Sequence, residues 1–376
     1  MQYFSYLRMN GVNINAIVRI LGIILKRRGI YLKILVLGGS RFLGRTFVEA
    51  ALSENHEVTI FNRGNQNEGL NDVEIITGDR FGDLIELKNR YWDTVLDTNG
   101  FIPYTVHNAT ELLKDRVNQY TFISSISVYK DWVQENLDEN YPVLKMSLEE
   151  AAELSKDVNG PVYEYYGQFK ALCEGNAEKN MPGRVLNIRA GQLIGPNDYT
   201  DRIPYWVHRI SKGGKVLVPG KPGRRIQVID NKDLSQWILK LMGTNTAGTF
   251  NATGPDYPLS IKEFIDACIK VTGSNAEVVW ADEVFLLEQK IAPWTEMPLW
   301  VPENAPLSPE LEKPWKGAFS INVDKAIQSG LTFRPLKDSL AEIYQWEKER
   351  KLSQNEWKSG MHAEKEAQLL NLLDSK

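Results

Sequence analysis

From Lys33 onward, apolar and polar positions alternate along the chain in short blocks. Lys33-Ile-Leu-Val-Leu37 is a β-branched, leucine-rich run that stops at Gly38-Gly39, the pattern of a buried parallel strand. Residues 42–52 follow with Phe42, Leu43, Phe47, Ala50 and Ala51 on one side of a helix. Further strands are expected at 57–61, 73–77, 93–97 and 119–124, with a helix at about 104–113 before the last of them. Beyond Tyr163 a helix through Glu178 and a strand at 184–188 continue the series. Strands alternating with helices at this spacing specify an α/β fold, a doubly wound parallel sheet with right-handed crossovers.

After that the pattern loosens. Gly213-Gly214, Pro219-Gly220 and Pro222-Gly223 punctuate loops, and 255–314 mixes helix with proline-rich connections. The expected organisation is an extension at 1–32, a nucleotide-binding core at 33–195, and a smaller C-terminal substrate-binding region at 196–350 interleaved with the last core elements. A charged helical tail at 351–376 carries an apolar patch at Leu369, Leu370, Leu372 and Leu373. In the extension, the apolar run 14–25 is broken by Arg19 and followed by Lys26-Arg27-Arg28. Its length of about twelve residues falls short of the ~20 that a spanning helix needs. A secretory signal carries its basic residues before the apolar core, not after it. A short amphipathic helix on the protein or a membrane surface, an uncleaved extension, and residues upstream of the usual start all remain open.

Composition narrows the class. The 376 residues exceed one compact domain, and 43% apolar with 24% charged residues is a globular balance. Forty-four basic against 48 acidic residues leave a net charge of −4, which argues against a general nucleic-acid binder but not against a local basic groove. Cys173 and Cys268 lie in no CxxC pattern and build neither a disulfide framework nor a zinc site, pointing to a reducing compartment, the cytoplasm. His56, His107, His208 and His362 have no ligand spacing, so no metal is expected.

Four stretches carry chemistry. Gly38-Gly39-Ser40-Arg41-Phe42-Leu43-Gly44 joins a strand to a helix, where glycines let the backbone approach a pyrophosphate at the positive end of the helix. Arg41 takes the place of a middle glycine and can reach over an adenosine 2′-phosphate. Next, Phe61-Asn62-Arg63-Gly64 ends the second strand without the Asp or Glu that holds the ribose of NAD, so NADP is preferred to NAD. Gly78-Asp79-Arg80 after the third strand faces the adenine, with Asp79 able to accept from the exocyclic amine and Arg80 either beside the cofactor or a surface charge. Finally, Tyr166 and Lys170 share a helix face at i,i+4, and a lysine one turn away lowers the phenol pKa for proton exchange. About forty residues upstream, Ser124 and Ser125 end the fifth strand, at the carboxyl edge where the crevice of such a sheet lies. The segment Asp198-Tyr-Thr-Asp-Arg202-Ile-Pro-Tyr205-Trp206 is the expected substrate contact: aromatic faces stack on a base or sugar and Arg202 pairs with phosphate or carboxylate. A loop packed by its own aromatics reads equally well. Trp294, Trp300 and Trp315 fit either an aromatic cap over the crevice or the core of a small domain.

From Lys33 to Trp346 the chain resembles the extended short-chain dehydrogenase/reductase superfamily, the NAD(P)-dependent epimerase/dehydratase type. The resemblance rests on the glycine motif, Gly78-Asp79, Ser125 before Val128-Tyr129, Tyr166 with Lys170, and Gly330-Leu-Thr-Phe-Arg-Pro335. It implies the Rossmann form of the doubly wound fold, with Ser125 orienting the substrate oxygen, Tyr166 as acid/base, and Lys170 holding the nicotinamide ribose while tuning Tyr166. Ser124 and Arg189-Ala190-Gly191 would line the cofactor, and Arg225 or Arg224 would stand for the arginine on a nucleotide-sugar diphosphate. Gly-Gly-Ser-Arg-Phe-Leu-Gly with Phe-Asn-Arg-Gly is similar to a branch that also holds the plant chloroplast stem-loop RNA-binding proteins. The expectation is an epimerase, dehydratase or reductase acting on a hydroxylated small molecule such as a nucleotide sugar, as a homodimer. An RNA-binding protein and a non-catalytic dinucleotide sensor on the same fold are the rivals.

Overall fold

The computed structural model describes residues 31–375 apart from 83, 157, 159 and 306–313; the expected extension lies outside the described residues except for its last two. The strands are β1 (Lys33–Leu37), β2 (Glu57–Asn62), β3 (Glu74–Thr77), β4 (Thr94–Asp97), β5 (Gln119–Ser125), β6 (Val185–Ala190), β7 (Gly214–Pro219), β8 (Gly248–Ala252) and β9 (Ala276–Ala281), besides several two-residue pairs. The helices are α1 (Phe42–Ser53), α2 (Pro103–Leu113), α3 (Leu148–Leu154), α4 (Tyr166–Asn180), α5 (Arg202–Ser211) and α6 (Asn231–Gly243). They continue with α7 (Ile261–Thr272), α8 (Glu283–Glu288), α9 (Asp324–Gln328), α10 (Leu336–Glu349) and α11 (Ala363–Asp374).

Seven strands form one sheet in the order β8-β6-β5-β4-β1-β2-β3, every neighbouring pair parallel. Chain direction across the sheet reverses between β1 and β4, so the crevice at their carboxyl ends receives the turn after β1 and the turn after β4. The two-residue period of a strand divides β1 between two cores. Ile34 and Val36 pack with Leu43, Phe47 and Ile238 under α1 and α6, while Leu35 and Leu37 pack with Val106, Phe122 and Cys173 under α2 and α4. A near-continuous apolar strand is what burial on both faces requires.

The expected doubly wound α/β fold is present. Boundaries shift by a residue or two: β5 extends to Ser125, β6 runs 185–190 rather than 184–188, and Tyr163–Tyr165 forms a separate 3-10 turn before α4. The terminal strand β8 and the parallel pair β7–β9 have no counterpart in the sequence reading. β8 has five residues and starts from a glycine, while β7 and β9, six residues each, lie beyond the regular strand–helix alternation among glycine- and proline-rich connections.

A third and larger core joins β7, α5, α7, α10 and the loops around Trp300. The charged end of the chain docks on it: Leu369 is buried, Glu366 pairs with Arg209 and accepts from the Leu217 amide at 2.9 Å, and Asp374 pairs with Lys215. Both cysteines are buried and free. Among the described residues no helix is long and apolar enough to cross a membrane.

Candidate active site

Gly38 and Gly39 turn the chain out of β1 with φ of +112° and +85°, a region that favours glycine. A Cβ on Gly44 would lie 2.9 Å from the Gly39 nitrogen, so the backbone of the turn and of the helix meet there without side chains between them, and a Cβ on Gly38 would lie 2.4 Å from the Thr98 Oγ1 that packs against it. Arg41, the N-cap of α1, makes no side-chain cap, and the first amides of the helix remain donors without one. Such a cradle fits a pyrophosphate. Phe42 and Leu43 are buried, which confines their part at a phosphate to backbone amides; Ser40 is half-buried and Arg41 is exposed, hydrogen-bonded to Gln66.

Asn62 closes the turn after β2. Its Oδ1 accepts from the Gly64 amide at 2.8 Å and its Nδ2 donates to Asn67 Oδ1 at 2.8 Å, while Arg63 stands exposed. Exposed Asp79 caps its own turn by accepting from the Phe81 amide at 3.0 Å. Arg80 differs from the surface charge that was one expectation. It is buried, with Nη1 and Nη2 donating to Asp97 at 2.7 and 2.9 Å, and Tyr120 donates to the same carboxylate at 2.6 Å. The charge of Arg80 is therefore matched inside the protein, and Arg41 and Arg63 remain as the exposed arginines of this rim. Arg80 and its hydrogen bonds hold the Asp97 carboxyl below the usual range against the upward push of burial.

At the end of β5 the Ser125 hydroxyl donates to Ser127 Oγ at 3.0 Å and hydrogen-bonds the Tyr166 phenol. Lys170, one turn along α4, is buried with Nζ donating to the Ile123 carbonyl at 2.7 Å and lying 4.8, 4.7 and 5.8 Å from the Phe101, Phe122 and Tyr166 rings. The three predicted residues thus converge. The predicted direction of the phenol shift does not hold: burial pushes Tyr166 up to about 12, with the Ser125 hydrogen bond acting against it. Burial also takes Lys170 down to about 8. Desolvation is the largest cause of both shifts.

Ser124, expected at the cofactor, points elsewhere. Its Oγ donates to Glu174 Oε1 at 2.5 Å, and Glu174 binds Arg189 through Nε at 3.0 Å and Nη2 at 2.8 Å. Arg189, expected at the nicotinamide pocket, also donates to the Glu139 carbonyl and to Tyr129 Oη. Glu174 was missed by the sequence reading, though Tyr166, Lys170 and Glu174 are spaced i, i+4, i+8 on one helix face.

The substrate segment divides. Tyr205 and Trp206 are core residues, 6% and 0% exposed, with Trp206 Nε1 donating to the Pro298 carbonyl at 2.9 Å. This corrects their assignment as stacking surfaces: α5 is amphipathic and turns both rings away from solvent into the C-terminal core. Tyr199 instead stands against the glycine turn, its ring 6.1 Å from Phe42. Arg202 lies at the start of α5 over the Trp294 ring at 5.0 Å, and its charge acts on Tyr166. Arg224 is bound to Glu303 and to two carbonyls, which leaves Arg225, in contact with Ser320 Oγ, as the freer of that pair. Trp300 is buried, Trp315 stacks on Trp132 at 5.6 Å, and Trp294 stacks on Phe319 at 5.8 Å. Among the described residues no group of three or more His, Cys, Asp or Glu could hold a metal ion.

The reversed parallel sheet and the glycine cradle at its switch point define the dinucleotide-binding class of α/β proteins. The chain belongs to the NAD dependent epimerase/dehydratase family, whose model matches residues 34–252. It is similar to the chloroplast stem-loop binding protein of 41 kDa b of Arabidopsis thaliana, 27% identical over 263 residues that cover 64% of this chain and 63% of that protein. The match thus spans less than two thirds of the relative's length. Among solved structures, the Bordetella bronchiseptica enzyme WbmH in complex with NAD+ superposes with a TM-score of 0.62 at 14% identity, over 86% of this chain and 100% of that one. The UDP-glucuronic acid 4-epimerase of Bacillus cereus in complex with NAD does so with 0.60 at 16% identity, over 84% and 99%. These two likenesses are of fold.

Proposed function

We propose that the protein is an NAD(P)-dependent enzyme of epimerase, dehydratase or reductase type, acting on a hydroxylated substrate such as a nucleotide sugar. The observation that carries this reading is the Tyr166 phenol hydrogen-bonded to Ser125 at the carboxyl end of β5, beside the crevice that begins at Gly38. A nicotinamide, when bound, supplies a reversible hydride acceptor. The chain supplies the rest. Ser125 orients a substrate oxygen, Tyr166 exchanges a proton with it, and the N–H donors that Lys170 does not spend on Ile123 hold ribose hydroxyls. Gly38, Gly39 and Gly44 with the α1 amides hold the pyrophosphate.

Exposed Arg41 and Arg63, with Asn62 where an acid would hold an unphosphorylated ribose, favour NADP over NAD. The two solved structures named above carry NAD, and the B. cereus protein is an epimerase of UDP-glucuronic acid, which supports a dinucleotide and a nucleotide sugar in this fold. Arg225 is the arginine offered to the substrate's diphosphate. The test is Tyr166→Phe in an assay across UDP- and dTDP-sugars with each cofactor: turnover is lost while cofactor affinity is kept. Undiminished turnover sinks the mechanism.

The stem-loop binding relative favours a second reading, an RNA-binding protein on the same fold. Stem-loop RNA affinity that falls steeply with salt and ignores Tyr166→Phe would support it.

A further inference from the structure

The end of the chain reaches the active site through Asp201. This residue stands at the N-cap of α5 but does not cap it: its φ is +60° and its side chain makes no hydrogen bond to the helix. An N-cap aspartate ordinarily accepts from an amide two or three residues on. Asp201, 1% exposed, turns its carboxylate away from its own helix instead. Arg350 Nη2 donates to Oδ1 at 2.7 Å and the Lys358 amide donates to Oδ2 at 3.0 Å, from 149 and 157 positions further along the chain. A carboxylate removed from water needs such partners, and here the arm that follows α10 supplies them to both oxygens.

The same arm holds the facing wall. The Gly360 amide donates to the Thr295 carbonyl at 2.7 Å, and Lys365 Nζ donates to Glu296 Oε1 at 2.5 Å. Both acceptors follow Trp294, over whose ring the Arg202 guanidinium lies at 5.0 Å. Gly360 has a φ of +111°, and a Cβ there would lie 2.0 Å from the Tyr205 ring, so glycine is what lets the arm press this closely on α5. One segment thus grips the residue before Arg202 and the two residues after Trp294. Arg202 acts electrostatically on Tyr166, and Asp198 is the largest favourable charge on the arginine itself. The arm lies beyond residues 34–252, the part of the chain that the family model matches.

We propose that Asp201 is a positioning residue: by fastening the arm at Arg350 and Lys358 it locks the start of α5 against the Trp294 loop, and so fixes the wall of the crevice beside Tyr166. Its effect on turnover rests on the enzymatic reading above; the locking itself does not.

Two measurements on the full chain test it. The first needs no substrate and follows hydrogen–deuterium exchange in peptides covering residues 199–206 and 293–297. Both contain hydrogen-bonded amides, Tyr205 to the Asp201 carbonyl at 2.9 Å and Trp294 to the Trp300 carbonyl at 3.0 Å. Asp201→Asn and Arg350→Met should each speed exchange in both peptides by about ten- to hundredfold, the range of a lost hydrogen bond to a charged group. Arg350→Lys keeps the charge and should loosen both less than Arg350→Met. Should Asp201→Asn fail to fold, the two Arg350 variants carry the comparison. Loosening of one peptide without the other, of neither, or equally by Arg350→Lys and Arg350→Met overturns the proposal. So does equal acceleration across β1 and α4, which would make the contact one of general stability.

The second measurement is steady-state kinetics at a temperature where every variant is folded, on a sugar nucleotide that the assay above finds to be turned over. Asp201→Asn and Arg350→Met should lower kcat/KM by about tenfold or more while cofactor affinity is kept, and Arg350→Lys should restore most of the loss. Loosened peptides with unchanged kcat/KM overturn the proposal. If no sugar nucleotide is turned over, the enzymatic reading fails by itself, and exchange in the two peptides alone decides whether the arm locks them.

Discussion

Glu174 and Arg189 form a doubly hydrogen-bonded ion pair beneath the carboxyl edge of the sheet, Oε1 to Nε at 3.0 Å and Oε2 to Nη2 at 2.8 Å. The pair joins α4 to β6, and the Ser124 hydroxyl ties β5 to the same carboxylate at 2.5 Å. Because Glu174 shares a helix face with Tyr166 and Lys170, this clamp sets the rotation at which α4 presents the phenol. Glu174→Ala leaves a buried guanidinium without its partner and should lower the unfolding free energy by about 3–5 kcal/mol. Urea denaturation of the two proteins checks this; a loss below about 1 kcal/mol would mean that the pair is effectively solvated.

The phenol of Tyr166 is pushed up to about 12 by burial, and the Ser125 hydrogen bond opposes that push. Ser125→Ala should therefore move the titration higher still. The measurement is phenolate absorbance against pH, with the Tyr166→Phe protein subtracted to isolate the one group. A difference titration near the ordinary tyrosine value of about 10 would contradict the buried geometry.

Lys170 has a folded pKa of about 8 against 10.5 for a free lysine, because burial disfavours its charge. Below about 8 the amine is protonated in both states and the full cost of burying the charge is present. Between about 8 and 10.5 the unfolded chain keeps a proton that the folded protein has released, so this group's contribution to stability rises with pH across that window. Compared with Lys170→Met, the parent protein should gain relative stability from pH 8 to 10.5 in thermal melts. A pH-independent difference between the two would show that the amine is not desolvated.

Gly44→Ala puts a methyl group 2.9 Å from the Gly39 nitrogen and 3.0 Å from its Cα, both backbone atoms that have no side chain to swing aside. The β1–α1 turn must shift, and the amide cradle moves with it. Affinity for NADP and NAD should fall by about tenfold or more, as expected when binding geometry is displaced by a fraction of an ångström to one. Fluorescence titration with the reduced cofactors reads this directly, and unchanged affinity for both would remove the glycine turn from the cofactor site.

How far the chain could be read from its sequence depended on how local the signal was. β1 and the glycine turn were legible because a buried strand followed by two glycines is written in consecutive residues. Tyr166 and Lys170 were legible from helical spacing, and Ser125 from the strand end preceding them. The strand β8 was not, since five residues beginning at a glycine carry too little period to stand out from the loops around them. Tyr205 and Trp206 stayed open in the sequence between a stacking surface and a loop packed by its own aromatics, because aromatic residues in a polar loop look alike whether they face a ligand or a core. Only the packing of α5 against α7 and α10 decides which.

The sequence by itself determined the order of the elements, the cradle and the identity of the three groups at the end of β5, all consequences of backbone periodicity and of residues four apart on a helix. The tertiary structure alone decided which charges are matched. Asp97 meets Arg80 across 17 positions, Arg189 meets Glu174 across 15, and Arg202 has buried Asp198 as the largest favourable charge on it. It also decided the direction in which Tyr166 and Lys170 titrate. Ion pairing and desolvation depend on what lies within a few ångströms after folding, and no spacing along the chain encodes that distance.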